Sequence, residues 1–217
     1  MKQTIITNIT QGLTTAFIDH AVSSNLAYRP QFVSNNYKEG RKVISSIEDE
    51  LLSCEQFAIS VAFITMSGIT PLLQTLKELE KRGIPGRILT TDYLTFSDPK
   101  ALRKLEEFSN LHVKMYVTDQ TEEGFHTKGY IFKKEEMYRI IVGSSNMTLS
   151  ALTVNREWNT RIISTEQGEY AQSVLTEFED LWNSSQAVEF EQFIDSYTEN
   201  YTRNKIIRKQ KELARQE

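Results

Sequence analysis

One cysteine stands among 217 residues, Cys54. The chain can therefore form no internal disulfide and no thiolate metal cluster, and Cys54 reads as a small, partly buried side chain. Histidine is nearly as scarce: His20, His112 and His126 are far apart in sequence and no compact carboxylate cluster accompanies them, so no metal site and no cofactor are expected. Long apolar runs are missing. No window approaches the ~18 consecutive apolar residues that a membrane span needs. The opening stretch MKQTIITNITQGLTTAF has no basic segment followed by an apolar one, the mark of a secretory leader. A soluble, cytoplasmic chain without a membrane partner is expected. Repeats of 20–50 residues and low-complexity tracts, which would signal solenoids or disorder, do not occur.

A strong positive balance is lacking too. The net charge of −4 argues against a protein that coats itself with polyanion. The distribution qualifies this, because residues 203–217 hold six of the 25 Lys/Arg and two of the 29 Asp/Glu, leaving 19 basic and 27 acidic side chains in residues 1–202. Any contact with nucleic acid has to come from a small local site. The basic tail, IIRKQKELARQE, carries no stop signal, which suits a chain cut from something longer or a helix with its partner elsewhere.

What the sequence does contain is an alternation of short apolar runs with amphipathic stretches from Ile44 to Ile163, the pattern of an α/β layered domain. FAISVAFIT (57–65) reads as a strand buried on both faces. In ITPLLQTLKELEKRG, the spacing of Leu72, Leu76 and Leu79 predicts a helix that Thr70-Pro71 opens and Gly83 stops. GRILTTDYL (86–94), LHVKMYVTD (111–119), FHTKGYIF (125–132), YRIIVGSSN (138–146) and REWNTRIIS (156–164) read as further strands, and DPKALRKLEEFS as a helix behind Ser97-Asp98-Pro99. EQGEYAQSVLTEFEDLWNSS sets Tyr170, Val174, Phe178, Leu181 and Trp182 on one helical face. We expect an N-terminal extension over 1–43, with a helix around 12–22, a main domain over 44–185, and a C-terminal helix with its basic tail over 186–217.

The chemistry concentrates in three of these strands. Alternate residues of a strand share a face, so His126 and Lys128 should project together, ~6–7 Å apart. Gly143-Ser144-Ser145-Asn146 ends the neighbouring strand, where small residues permit close backbone approach and Ser144 and Asn146 offer donors suited to phosphate. Glu157 could accept the Nδ1–H of His126 and leave Nε2 free to attack. Each feature alone is ordinary. Together, His-x-Lys, Gly-Ser-x-Asn and Glu follow in order on three successive strands.

These residues resemble the phospholipase D superfamily, whose members share a His-x-Lys strand, a following Gly-Ser-x-Asn and a downstream Glu. FAISVAFIT, GRILTTDYLTFSDPKALRKL and HTKGYIF…IIVGSSNMTLSAL are most similar to its compact metal-independent nucleases and to the phospholipase D-like domains at the N-terminus of bacterial DEAD/DEAH-type helicases. The resemblance spans roughly residues 40–185 and implies a mixed β-sheet flanked by helices on both faces. It departs at one position, Lys133, where the wider family has an Asp; the endonuclease-like branch lacks that Asp as well.

The resemblance implies that His126 forms a phosphohistidine, that Lys128, Ser144 and Asn146 neutralise the phosphoryl oxygens, and that Glu157 orients His126. It also implies a homodimer, since a single His-x-Lys motif needs a second copy to complete the site. Three functions are open at this point: a metal-independent DNA phosphodiesterase, serving as the front module of a helicase-type protein; a nucleic-acid docking module that turns over poorly; and a phospholipase or phosphatidyl transferase.

Overall fold

The computed structural model describes residues 2–118 and 124–215. In chain order these form α1 (Lys2–Leu13), β1 (Gln31–Val33), α2 (Val43–Ser53), β2 (Gln56–Val61), α3 (Met66–Ile69), α4 (Leu73–Lys81), β3 (Gly86–Thr91), α5 (Pro99–Glu106) and β4 (Leu111–Tyr116). After them come β5 (Lys128–Lys134), β6 (Met137–Gly143), α6 (Leu149–Thr153), β7 (Asn159–Thr165), α7 (Glu169–Trp182), β8 (Ala187–Glu189) and α8 (Phe190–Leu213). All eight strands join one mixed sheet in the order β1-β7-β6-β5-β2-β3-β4-β8.

Strands β2, β3 and β4 run parallel, linked through α3–α4 and α5, while β5, β6, β7, β1 and β8 pair antiparallel. The near-continuous apolarity of β2 has a direct cause. Phe57, Ile59 and Val61 enter a large core beneath α2, α4, α5 and α8, and Ala58 enters a second core beneath α7. Its one buried polar side chain, Ser60, meets the Thr127 hydroxyl at 2.5 Å, which removes the cost of an unpaired buried hydroxyl. Strand β5 is shared between the same two cores, with Tyr130 and Phe132 on one side and Ile131 on the other.

Two of the helix signals act where they stand, whereas the chain is already helical from Met66, capped by Thr65, before it reaches Thr70-Pro71. Asp98 caps α5 through Lys100 N–H, with Pro99 at its first position, and Gly83 takes the left-handed conformation past α4 (φ 65°) that a side chain would disfavour. The first 43 residues differ from expectation. The helix starts earlier than expected, at Lys2–Leu13, and continues as a π-helical stretch over Thr14–Ile18, so it overlaps the expected 12–22 only in part; Ile5 and Ile9, one turn apart, hold its first half by packing on Met137 and Ile163. Outside 44–185 the chain also supplies both sheet edges: β1 pairs with β7, β8 pairs with β4, and Phe193, Ile194 and Tyr197 of α8 lie in the main core. Pairing and burial across the whole chain hold these flanking segments to the central sheet. Of the expected strand 111–119, the stretch Leu111–Tyr116 is strand and Asp119 lies outside the described residues.

A buried carboxylate ties α2 to the sheet. Glu50, 2% exposed, accepts from Arg139 Nη1 at 3.1 Å and from Arg161 Nη1 at 2.7 Å. One negative charge thus faces two guanidinium groups on neighbouring strands, and the Nε of each arginine is buried without a partner among the described residues.

Candidate active site

The carboxyl ends of β2, β3 and β6 and the amino ends of β5 and β7 meet at one rim of the sheet, so loops from five strands surround one surface. Strand β5 begins at Lys128, and His126 sits just before it. Alternation nonetheless continues upstream: Phe125 is buried in the core under α7 and Thr127 bonds Ser60, while His126 is exposed. His126 and Lys128 share the other face, and the lysine folds back. Its Nζ lies 2.9 Å from His126 Nδ1 and donates to the His126 carbonyl at 2.8 Å.

An ammonium only donates, so the contact requires a lone pair on Nδ1 and assigns the imidazole proton to Nε2. Burial holds the Lys128 ammonium below the ordinary lysine pKa, and the carboxylate of Glu157 partly offsets that shift. The imidazole ring is bounded edge-on by Phe63 (centroids 6.1 Å apart) and Tyr93 (6.4 Å).

Asn146 is anchored at one end. Its Oδ1 accepts from Phe63 N–H at 3.1 Å, and because a backbone N–H can only donate, the amide orientation is fixed. The NH₂ group makes no protein hydrogen bond among the described residues, so it is available to an oxygen acceptor.

Ser144 and Glu157 take different parts from those expected. The Ser144 hydroxyl donates to Glu157 Oε2 and accepts from Trp158 N–H at 3.0 Å, so its proton is already used. Glu157, 9% exposed, makes that bond and none to His126. The expected Glu157–His126 bond is absent because Lys128 occupies Nδ1. The glycine of GSSN also has a different reason for being there. A Cβ on Gly143 would lie 2.3 Å from the Trp158 carbonyl and 2.4 Å from Asn159 Oδ1, so the space above it belongs to the chain itself. Below, Tyr130 donates to the Ser145 carbonyl at 3.0 Å and Asn159 Nδ2 donates to Ser145 Oγ at 3.0 Å. Burial raises the Tyr130 phenol well above its ordinary value, so it remains a donor.

Lys133 stands apart. Five residues along β5 from Lys128, ~17 Å at strand rise, it pairs with Glu166 Oε1 at 2.6 Å. A residue at that position cannot touch His126.

Sequence reasoning missed the aromatic and loop residues around the ring. Tyr93 and Phe96 follow β3, and Phe96 stacks edge-on to Phe63 at 5.2 Å. The signal for them was position, since ligands in open α/β sheets gather outside the carboxyl ends of strands. Leu94 and Thr95 between them have φ of 56° and 48°, a conformation non-glycine residues adopt at a cost. Helix α8 holds that turn. Asn204 Nδ2 donates to Thr95 Oγ1 at 3.1 Å, Arg208 Nη2 donates to the Thr95 carbonyl at 2.9 Å, and the Arg208 guanidinium lies 4.6 Å from the Phe96 ring centroid.

Residues 48–182 match the family described as "Cardiolipin synthase, PLD-like domain". The chain belongs to this phospholipase D-like family. No curated protein matches it. Among solved structures, this phospholipase D-like chain is similar to NucT from Helicobacter pylori at 16% identity and a TM-score of 0.57, over 75% of this chain and 99% of that one. Nuc from Salmonella typhimurium, a phospholipase D family member, aligns at 18% identity and a TM-score of 0.55, again over 75% and 99%. The phosphatidylserine synthase of Haemophilus influenzae Rd KW20 aligns at 16% and 0.56, over 85% of this chain and 46% of that one. At these identities the likeness establishes the fold, a mixed sheet flanked by helices. No helix among the described residues is long and apolar enough to cross a membrane.

Proposed function

We propose that this phospholipase D-like chain is a metal-independent phosphodiesterase acting on DNA through His126. The observation that carries the proposal is the gathering, at one sheet rim, of the His126 imidazole, the Lys128 ammonium and an Asn146 NH₂ that has no protein partner among the described residues. A phosphodiester supplies the oxygens those donors lack, and its phosphorus would lie against the imidazole. When it binds, Lys128 leaves Nδ1 for the phosphoryl oxygens and the ring proton moves to Nδ1, freeing Nε2.

Nε2 then attacks phosphorus, a P–N bond forms and the P–O bond to the leaving group breaks. That oxygen takes a proton from the imidazolium of a second copy's His126, because one chain carries a single His-x-Lys motif; a homodimer with a shared site is part of the proposal. Water then cleaves the P–N bond, returning its proton to the second imidazole. Lys128 and Asn146 neutralise the phosphoryl charge, Glu157 offsets the charge of Lys128 through space, and Ser144 fixes Glu157. The stretches similar to helicase-linked domains support a place as the front module of a helicase-type protein in the cytoplasm.

A second reading has its own observation. With Lys128 on Nδ1 and the proton on Nε2, His126 as it stands is not a nucleophile, which suits a docking module that binds phosphate without turnover.

Labelled DNA incubated with the protein in excess EDTA separates the two, with phosphatidyl substrate in parallel. Cleavage that persists in EDTA and vanishes in His126→Ala is expected. Salt-sensitive binding without cleavage favours the docking module, and turnover of the phosphatidyl substrate alone overturns both.

A further inference from the structure

Next to the site lies an open groove of about 590 Å³ lined by Phe32, Tyr37, Lys38, Arg156, Glu157 and Trp158. Glu157 is its common wall with the candidate site, and that carboxylate is engaged by Ser144. Three aromatic side chains of the groove are largely in water: Trp158 at 74%, Phe32 at 61% and Tyr37 at 99% exposure. A single exposed aromatic is ordinary, but three around one groove leave much apolar area hydrated without an internal reason.

The indole is also held in place. The Trp158 N–H donates to Ser144 Oγ at 3.0 Å and its carbonyl accepts from Ser144 N–H at 3.1 Å, so the backbone carrying the ring is bound to the GSSN turn on both sides. Phe32 meets it edge-on, centroids 6.0 Å apart at 76°, from a strand whose register pairs Phe32 with Thr160. Lys38 and Arg156 at the rim join no ion pair among the described residues.

We infer that this groove is a base-stacking subsite for single-stranded nucleic acid, in which a nucleobase stacks on Trp158 against Phe32 while its flanking phosphates meet Arg156 and Lys38. Flat π surfaces beside cations are what unpaired bases on a charged backbone select. Paired bases in a duplex keep their faces covered by their neighbours, and a lipid headgroup presents no face to stack. The inference rests on the phosphodiesterase reading, and it narrows the substrate to a single strand or an unpaired end.

Tryptophan fluorescence tests it, since the chain has two tryptophans and the other, Trp182, is buried at 6% exposure. The His126→Ala protein is titrated with a short single-stranded oligodeoxynucleotide, with the same strand bearing abasic sites, and with its duplex. Quenching of the exposed indole by the intact strand is expected. Trp158→Phe should abolish the signal while keeping affinity, and Trp158→Ala should weaken binding about tenfold, with circular dichroism unchanged. Equal affinity for intact and abasic strands, or binding without quenching, overturns the subsite. Cleavage by the wild type without quenching removes the subsite alone; neither binding nor cleavage removes the phosphodiesterase reading with it.

Discussion

Lys128 Nζ lies 2.9 Å from His126 Nδ1, and this contact makes the imidazole and the ammonium one unit. The lysine proposed to neutralise phosphate is also the group that fixes the histidine tautomer. In the proposed reaction, a phosphodiester would therefore do two things at once, serving as substrate and releasing Nδ1.

A pH dependence follows from Lys128. Burial holds its pKa below the ordinary lysine value, so on the alkaline side activity should decline before a normal lysine would deprotonate. Lys128→Arg should move that limb to higher pH, and Lys128→Ala should lower kcat/KM at least about a hundredfold. Stability moves in the opposite direction. The folded chain binds fewer protons than the unfolded one between the depressed pKa and the ordinary one, so stability rises with pH across that window, and the cost of the buried charge is fully present below it. Lys128→Met should melt at a higher temperature than the wild type at neutral pH. A pH–rate profile and a calorimetric scan check both statements, and an alkaline limb unmoved in Lys128→Arg would contradict the first.

Ser144 should separate from Asn146 in kinetics. Ser144 spends its proton on Glu157, so Ser144→Ala frees that carboxylate and leaves Trp158 N–H without its acceptor. Loss of a hydrogen bond to a charged group is worth about 1.5–3 kcal/mol, and kcat should fall roughly tenfold or more with KM little changed. Asn146→Ala removes the free NH₂ donor and should raise KM as well. Steady-state kinetics on one diester substrate decides, and identical profiles for the two variants would contradict the assignment.

The Glu50 cluster should govern stability. Glu50→Ala leaves two largely buried guanidinium groups without a counter-charge and should cost about 3–5 kcal/mol. Urea denaturation of the variant measures it. A loss below 1 kcal/mol would mean that water reaches both arginines.

Helix α8 should be felt at the candidate site although it is remote in sequence. Arg208→Ala removes the bond to the Thr95 carbonyl and the contact over Phe96, releasing a turn whose two left-handed residues persist only while their surroundings impose them. Tyr93 and Phe63, which bound the His126 ring, should then lose their positions. The expected result is a lower kcat with the melting temperature nearly unchanged, and recovery in Arg208→Lys only in part, because a lysine cannot reproduce the planar contact with Phe96.

The sequence alone determined the layered α/β class, most strands and helices, and the set of polar residues at the sheet rim. Those signals are local: β2 is almost continuously apolar because both its faces are covered, Asp98-Pro99 opens α5, and His126 and Lys128 share a face by alternation. Tertiary structure decided what those residues do to one another. Lys128 reaches His126 Nδ1 because the strand begins at Lys128 and its side chain can fold back along the preceding residues. Glu157 turns to Ser144 because the Trp158 backbone locks the two loops together above Gly143. Tyr93 and Arg208, more than a hundred residues apart, meet around one strained turn because β8 returns the chain to the sheet edge and lays α8 across α5. Such contacts depend on which ends of which strands the topology brings together, and no window of sequence carries that.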